Sequence, residues 1–135
     1  MSQENSDFNT ALGIKSERSE DGVCEMTLDV DARHMSIAQR VHGGVFFTML
    51  DTAMGSAVAS TLEAGRGCAT IEAKINYFRP VQQGRIRVIA RCVNKSRRTA
   101  YTEGEVLDAE DRLICKGTGT FMLTETMTQK EREGA

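Results

Sequence analysis

A single carboxylate stands in an otherwise apolar or small-residue stretch, HGGVFFTMLDTAMGSA, at residues 42–57. The acid is Asp51, and two glycines, Gly43 and Gly44, follow His42 at the start of the stretch. A carboxylate held among small side chains can act as a general base or as a nucleophile. The pattern therefore makes Asp51 a candidate catalytic residue.

The two glycines stand where the stretch is expected to begin as a helix, although glycine lowers helix propensity. Their benefit is that another group can approach the backbone closely. The first N–H groups of a helix have no partner within it, and the helix dipole adds roughly half a positive charge there. The N–H of Gly43 or of Gly44 is therefore a candidate oxyanion hole for a carbonyl that gains negative charge during acyl transfer.

Helical spacing separates the acid from this amide. One face of the helix carries a stripe of small and polar residues, namely Gly44, Thr48, Asp51 and Gly55. At 1.5 Å per residue, Asp51 lies about 12 Å along the axis from Gly43. One substrate carbonyl cannot touch both groups of one chain. Either the two are unrelated, with Asp51 solvated or paired with an arginine, or Asp51 meets the Gly43 site of a second subunit.

Hydrophobic patterns predict the elements that position these groups. A helical turn at 7–11 and strands at about 12–18 and 24–30 come first. The long helix is expected from Gly43 to Leu62, with stop signals at Gly65 and Gly67. Strands at about 71–77, 86–92, 99–107 and 113–123 follow, and the turns between them favour an antiparallel meander.

The long helix is apolar nearly all round and requires burial on most sides, which one curved antiparallel sheet wrapped around it supplies. The predicted fold class is α+β, with five to six strands around one long central helix, in a single domain over residues 1–135. Glycines within the strands indicate bends or close backbone approach, at Gly104, Gly117 and Gly119. Residues 1–6 and 125–135 are expected to be frayed ends.

Composition restricts the function classes. The net charge is −2 and the basic residues are scattered along the sequence, so no nucleic-acid partner is expected. The N-terminus has no signal-peptide pattern and the longest apolar stretch is too short to cross a bilayer, so a cytoplasmic protein without membrane contact is expected. Four cysteines without a CxxC pair, and only two histidines, favour reduced core thiols over a zinc site.

Taken together, the motifs resemble those of hotdog-fold thioesterases of the phenylacetate-pathway (PaaI-like) type, a family that also includes the 4-hydroxybenzoyl-CoA and mammalian acyl-CoA thioesterases. The matching features are HGG at 42–44, an acid nine residues after the histidine, AxGxA at 53–57 and TxxxxxxYxxP at 70–80. The resemblance covers about residues 8–123. It implies edge-to-edge homodimers paired into homotetramers, hydrolysis of acyl-CoA thioesters, and no metal or organic cofactor.

The resemblance also implies catalytic roles for single residues. Gly43 matches the oxyanion-hole amide, and Asp51 matches an acid supplied by the neighbouring subunit, acting as nucleophile or as base on water. Thr70 matches a small hydroxyl residue near that acid, and His42 helps to shape the helix start.

Further residues are assigned to substrate binding by the same resemblance, namely Gly44, Ser36, Gln39, Arg97, Arg98 and Thr99. Many members carry Asn at the position of Ser36, where it helps to place water or the carbonyl. Glycine is common at the position of Gln39, which is a candidate to take over that polar contact. The turn at 97–99 often meets the CoA nucleotide in the family, and a solvated turn is the alternative.

Two other functions stay open for a hotdog protein. A non-catalytic acyl-CoA sensor usually carries an added DNA-binding segment, for which 135 residues leave no room. A hydratase needs an Asp/His pair, and one of the two histidines already lies in HGG. The acyl group is not fixed by the sequence: aromatic, medium-chain and carrier-bound thioesters all fit. An adaptable pocket or plain core packing would each account for Phe46, Phe47, Met49 and Met54.

Overall fold

A computed structural model describes residues 5–125 of the protein, which form two α-helices and six strands. Helix α1 (Asp7–Leu12) precedes β1 (Lys15–Glu20) and β2 (Val23–Asp29), and a 3-10 turn at Ala32–His34 precedes helix α2 (Gly43–Ala59). The remaining strands are β3 (Gly67–Tyr77), β4 (Arg85–Lys95), β5 (Thr99–Leu107) and β6 (Leu113–Thr124). The ends predicted to be frayed lie almost wholly outside the described residues, although Ser6 caps α1 by accepting a hydrogen bond from the Asn9 N–H.

The six strands form one sheet in the order β1-β2-β4-β5-β6-β3, and every neighbouring pair is antiparallel. The predicted meander is confirmed for β4, β5 and β6, but it is wrong for β3, which pairs with β6 instead of β4. The reason lies in the connection at 78–84. The Val81 C=O accepts from the Val41 N–H and the Gly84 C=O from the Val30 N–H, so this segment crosses the molecule to deliver β4 beside β2.

Helix α2 is the centre of the core and contacts all six strands. Its apolar face is buried as predicted, through Val45, Phe46, Met49, Leu50 and Ala53. The α+β class and the antiparallel sheet around one long helix are therefore confirmed. The helix ends at Ala59, before the predicted Leu62, because the Ser60 and Thr61 hydroxyls donate to backbone carbonyls one turn back and the chain tightens there.

Strand glycines allow α2 to approach the sheet closely. Gly104 and Gly117 lie opposite each other in β5 and β6, under the side chain of Leu50. A Cβ at Gly104 would lie 2.8 Å from Leu50 Cδ2, and one at Gly117 would lie 3.2 Å from Leu50 Cδ1. The predicted close approach at these glycines is therefore confirmed.

The two edges of the sheet differ in character. β1 has six residues, KSERSE, and a register shift between Ser16 and Arg18, so it is short, charged and irregular. β3 has eleven residues and, among the strands of residues 5–125, pairs with β6 alone. Its predicted alternation is broken by an irregularity between Thr70 and Glu72, which leaves Ile71 54% exposed. A long, partly apolar strand edge is thus open along β3.

Candidate functional site

The start of α2 leaves one backbone amide free. His42 is the N-cap, and its Nδ1 accepts a hydrogen bond of 2.8 Å from the Gly44 N–H. No described residue accepts a hydrogen bond from the Gly43 N–H. Of the two amides predicted as candidate oxyanion donors, the Gly43 N–H is therefore the available one, and the His42 ring holds the other.

Tyr77, at the end of β3, covers this helix start. Its hydroxyl donates a hydrogen bond of 2.8 Å to the Gly43 carbonyl oxygen. A Cβ at Gly43 would lie 3.2 Å from Tyr77 Cζ and Oη, so glycine is what allows the ring to lie against the backbone. A cavity of about 560 Å³ opens here between the α2 start and residues 77–80, with Phe46 in its wall.

Asp51 is half-buried on α2 and is held by a hydroxyl. Thr70 Oγ1, on β3, donates a hydrogen bond of 2.8 Å to Asp51 Oδ1. None of the ion pairs formed within residues 5–125 includes Asp51. None of the described arginines is therefore the partner considered from the sequence, and one carboxylate oxygen stays available to act on a substrate or a water molecule.

Cys68 is a neighbour of Asp51 that the sequence did not single out. Its Sγ lies 3.4 Å from the Gly55 carbonyl oxygen. Burial raises the pKa of the Cys68 thiol, and the negative charge of Asp51 raises it further. The thiol therefore stays protonated near neutral pH, which makes it a poor nucleophile.

Burial also raises the pKa of the thiols in the core, and no metal-binding cluster is found among the described residues. All four cysteines are free, and burial raises the pKa of Cys24 to about 11 and that of Cys115 to about 12. These two behave as the small core hydrophobes that the sequence predicts. In the part of the chain that the structure describes, no three His, Cys, Asp or Glu side chains lie together as a metal site.

The Gly43 amide and the Asp51–Thr70 pair are not brought together within one chain. Gly43 and Asp51 stand eight residues apart on α2, which corresponds to about 12 Å along the helix axis. The structure thus keeps the separation that the sequence predicts. Each of the two groups contacts β3, Gly43 through Tyr77 and Asp51 through Thr70.

The loop before α2 carries the two departures from the family pattern. Gln39 has φ +63°, a left-handed conformation that glycine adopts most easily, which accounts for the glycine common there in the family. Its N–H donates to the Ser36 carbonyl, and the Ser36 N–H donates to the Arg40 carbonyl. Ser36 Oγ is buried without a hydrogen-bond partner among the described residues. Neither Ser36 nor Gln39 is among the residues that line the cavity at the start of α2.

Arginines converge at the turn between β4 and β5. A cavity of about 540 Å³ is lined by Arg66, Arg97, Arg98, Met122, Leu123 and Glu125. The expectation that basic residues are scattered is wrong at this point. Arg66 was missed because it stands 31 residues before Arg97, and the pairing of β3 with β6, which brings it there, was not predicted. Thr99 instead closes the turn through Ser96, with the two hydroxyl oxygens 3.1 Å apart.

The four residues considered for an acyl pocket separate into two groups. Met49 and Met54 are fully buried core residues, which favours core packing for them. Phe46 is buried but lines the cavity at the α2 start, and Phe47 is 38% exposed on the helix surface.

Comparisons with known proteins show the family and the fold of this chain. The family model described as the thioesterase superfamily matches residues 38–115. The structure of the conserved protein PA5202 from Pseudomonas aeruginosa is similar, with a TM-score of 0.86 and 35% identity, over 89% of this chain and 95% of that chain. A variant of the phenylacetic acid degradation protein PaaI from Thermus thermophilus gives a TM-score of 0.80 and 30% identity, over 87% and 98% of the two chains.

A third solved structure supports the fold alone. Thioesterase HI1161 from Haemophilus influenzae superposes with a TM-score of 0.84 at 24% identity, over 90% of this chain and 85% of that chain. Neither of the helices found within residues 5–125 has the length and hydropathy needed to cross a membrane.

Proposed function

Because this chain belongs to the thioesterase superfamily, has its hotdog fold and is thereby a thioester hydrolase, we propose that its substrates are acyl-CoA thioesters, which it cleaves to a free acid and CoA. The observation that carries the proposal is the pair of half-sites on α2. One is a free amide at a helix N-terminus, and the other is a carboxylate without a cationic partner. Acyl transfer needs one group of each kind.

The two groups divide the reaction between them. The Gly43 N–H donates to the thioester carbonyl oxygen and stabilises the negative charge that develops on it. Asp51 either removes a proton from the attacking water or attacks the carbonyl carbon itself, forming an anhydride that water then hydrolyses. In both routes the C–S bond breaks, the sulfur leaves as the CoA thiol after taking up a proton, and the acid is released.

We infer that each site is shared between two subunits. Gly43 and Asp51 of one chain are about 12 Å apart, too far to act on one carbonyl. The open edge of β3 supplies a surface for a second copy. Antiparallel pairing of two β3 strands would set the Thr70 end of one beside the Tyr77 end of the other, and Asp51 of one copy would approach Gly43 of its partner.

The arginine cavity supports CoA as the leaving group. Among the described residues, three arginines and one carboxylate, that of Glu125, line the cavity, so it is suited to phosphate groups. It lies at the start of β3, three residues before Thr70, which is about 10 Å along a strand. The extended pantetheine arm of CoA would span the distance between its phosphates and its thioester.

The proposal extends to assembly and location. A homodimer formed through β3, two of which pair into a homotetramer, and a cytoplasmic location belong to it as expectations. The alternative function is an acyl-CoA-binding protein that does not cleave its ligand. That alternative predicts binding of acyl-CoA to the wild-type protein without release of thiol.

Release of free thiol from a panel of acyl-CoA esters tests the proposed function. The panel should include aromatic, medium-chain and carrier-bound thioesters, because the acyl group is open. Asp51→Asn keeps the size and loses the charge, and its kcat should fall by roughly 10²–10⁴. Asp21→Asn, in the exposed turn between β1 and β2, is the matched control and should keep full activity. Near-normal turnover by Asp51→Asn would remove Asp51 from the reaction.

A further inference from the structure

The peptide between Gly43 and Gly44 is held at both ends. Its carbonyl oxygen accepts a hydrogen bond from the Tyr77 hydroxyl, and its N–H donates to His42 Nδ1, each at 2.8 Å. We propose that Tyr77 is a positioning residue, which fixes the direction of the Gly43 amide by holding the peptide that follows it. The inference rests on the proposed function, in which that amide is the oxyanion donor.

Gly43 requires such external support. Without a Cβ it has access to a wider range of φ and ψ than any other residue, so the direction of its N–H depends on neighbouring contacts. One of these is the 2.9 Å hydrogen bond from the Val45 N–H to the His42 carbonyl, which belongs to the same peptide as the Gly43 N–H. The Tyr77 hydroxyl restrains its carbonyl, and the Tyr77 ring lies where a side chain would be, 3.2 Å from an ideal Cβ position. Both flanking torsions of Gly43 are thereby limited from outside.

Tyr77 is itself firmly anchored. It pairs with Cys115 at the last register position between β3 and β6, and the next two N–H groups, of Phe78 and Arg79, donate to the Ile114 carbonyl. Its ring also packs against that of the buried Phe46, with centroids 6.4 Å apart and planes tilted by 54°. The Tyr77 hydroxyl therefore links the sheet to Gly43, the first residue of α2.

The phenol remains a donor under ordinary conditions. Burial raises the pKa of Tyr77, and the Cys115 thiol adds to the effect. The hydroxyl thus keeps its proton at neutral and mildly alkaline pH, and the hydrogen bond to Gly43 persists there.

A positioning role and a purely structural role predict different results. The residue is 50% exposed, and one hydrogen bond at such a place contributes little to stability. The amide direction, in contrast, affects only the transition state, because oxyanion stabilisation depends on a donor already aimed at the charge. A positioning role therefore lowers kcat and leaves KM and Tm nearly unchanged.

Tyr77→Phe tests the inference, with Tyr101→Phe as the control, since the chain has two tyrosines and Tyr101 lies exposed on β5. Tyr77→Phe should reduce kcat about 5- to 20-fold with KM within about twofold. Amide hydrogen exchange at Gly44 should become about fivefold faster, because the peptide is held at one end only. Tyr101→Phe should leave kcat, KM and exchange unchanged.

Two results would overturn the inference: kcat equal to that of Tyr101→Phe, or a reduced kcat with Gly44 exchange unchanged. The exchange measurement needs no substrate. If the wild-type protein released no thiol from any acyl-CoA, the proposed function would fail. Unchanged exchange in Tyr77→Phe would show separately that Tyr77 does not hold the peptide.

Discussion

The hydrogen bond from Thr70 orients the Asp51 carboxylate and, unlike an ion pair, adds no positive charge beside it. The Thr70 hydroxyl fixes Oδ1 at 2.8 Å, and no cationic side chain within residues 5–125 forms an ion pair with Asp51. A lysine or arginine in the same place would favour a fixed, paired acid with lower basicity. A hydroxyl partner is therefore better suited to a carboxylate that must attack a carbonyl or accept a proton.

Thr70→Val keeps the shape of the side chain and removes only the donor. We expect kcat to fall about 10-fold, since a hydrogen bond to a charged group contributes roughly 1.5–3 kcal/mol and here orients the reacting carboxylate. Thr27→Val is the control, because Thr27 Oγ1 also donates to a carboxylate, that of Glu17, at 2.7 Å near the other edge of the sheet. Steady-state kinetics should show a loss for Thr70→Val alone, and equal kcat values would exclude the orienting role.

Residue types and spacing predicted part of this site and could not predict the rest. The acid, the glycine pair and their separation follow from the sequence, because positions on one helix have fixed geometry. That Gly43 and not Gly44 has the free amide depends on the rotamer of His42. The contact of Tyr77 with Gly43 joins residues 34 positions apart and depends on where β3 lies. Spacing along a chain carries no such information.

Among the elements, β3 shows the limit of periodicity. The predicted strand at 99–107 has the same bounds as β5, and the inward alternation of Ile86, Val88 and Ala90 is observed in β4. Alternation reports which face of a strand is buried, but not which strand lies beside it. The sequence therefore predicts β3 next to β4, and it does not indicate that Arg66 lies with Arg97 and Arg98.

The arginine turn between β4 and β5 can be tested by removing its charge. Arg97→Ala with Arg98→Ala should raise KM for acyl-CoA about 5- to 50-fold and leave kcat close to normal, because phosphate contacts remote from the reacting carbon bind ground and transition states alike. The increase should shrink at high salt. Arg91→Ala, an exposed arginine of β4 outside this cavity, is the control. An unchanged KM at low salt would remove the turn from the substrate site.

At the scale of the whole molecule, the proposed shared site would make a lone chain incomplete. Each α2 carries both an amide and an acid, but they are about 12 Å apart, so each would serve a different site. A symmetric dimer would then contain two equivalent sites, each built from both chains.

Mixing two inactive variants tests this arrangement. Gly43→Pro removes the amide donor at a helix position that tolerates proline, and its ring would also press on Tyr77, within the same half-site. Gly43→Pro and Asp51→Asn should each be nearly inactive. If they are unfolded and refolded together, about half the dimers are mixed and one site of each is intact, so activity should return to about a quarter of wild type.

Each variant refolded alone is the control and should stay inactive. Mixed dimers should be confirmed by mass before activity is compared. Mixed dimers without recovered activity would place the whole site within one chain.

The unlike edges of the sheet also set how far assembly can proceed. If two copies paired antiparallel through β3, the long β3 edge of each would be covered. The resulting continuous sheet would then have a β1 strand at each of its two edges. β1 is short, carries Lys15, Glu17, Arg18 and Glu20, and has an irregular register, all of which oppose pairing with another strand. Strand addition would therefore end with the dimer. The β3 edge allows two copies to pair but does not allow the sheet to extend into a fibre.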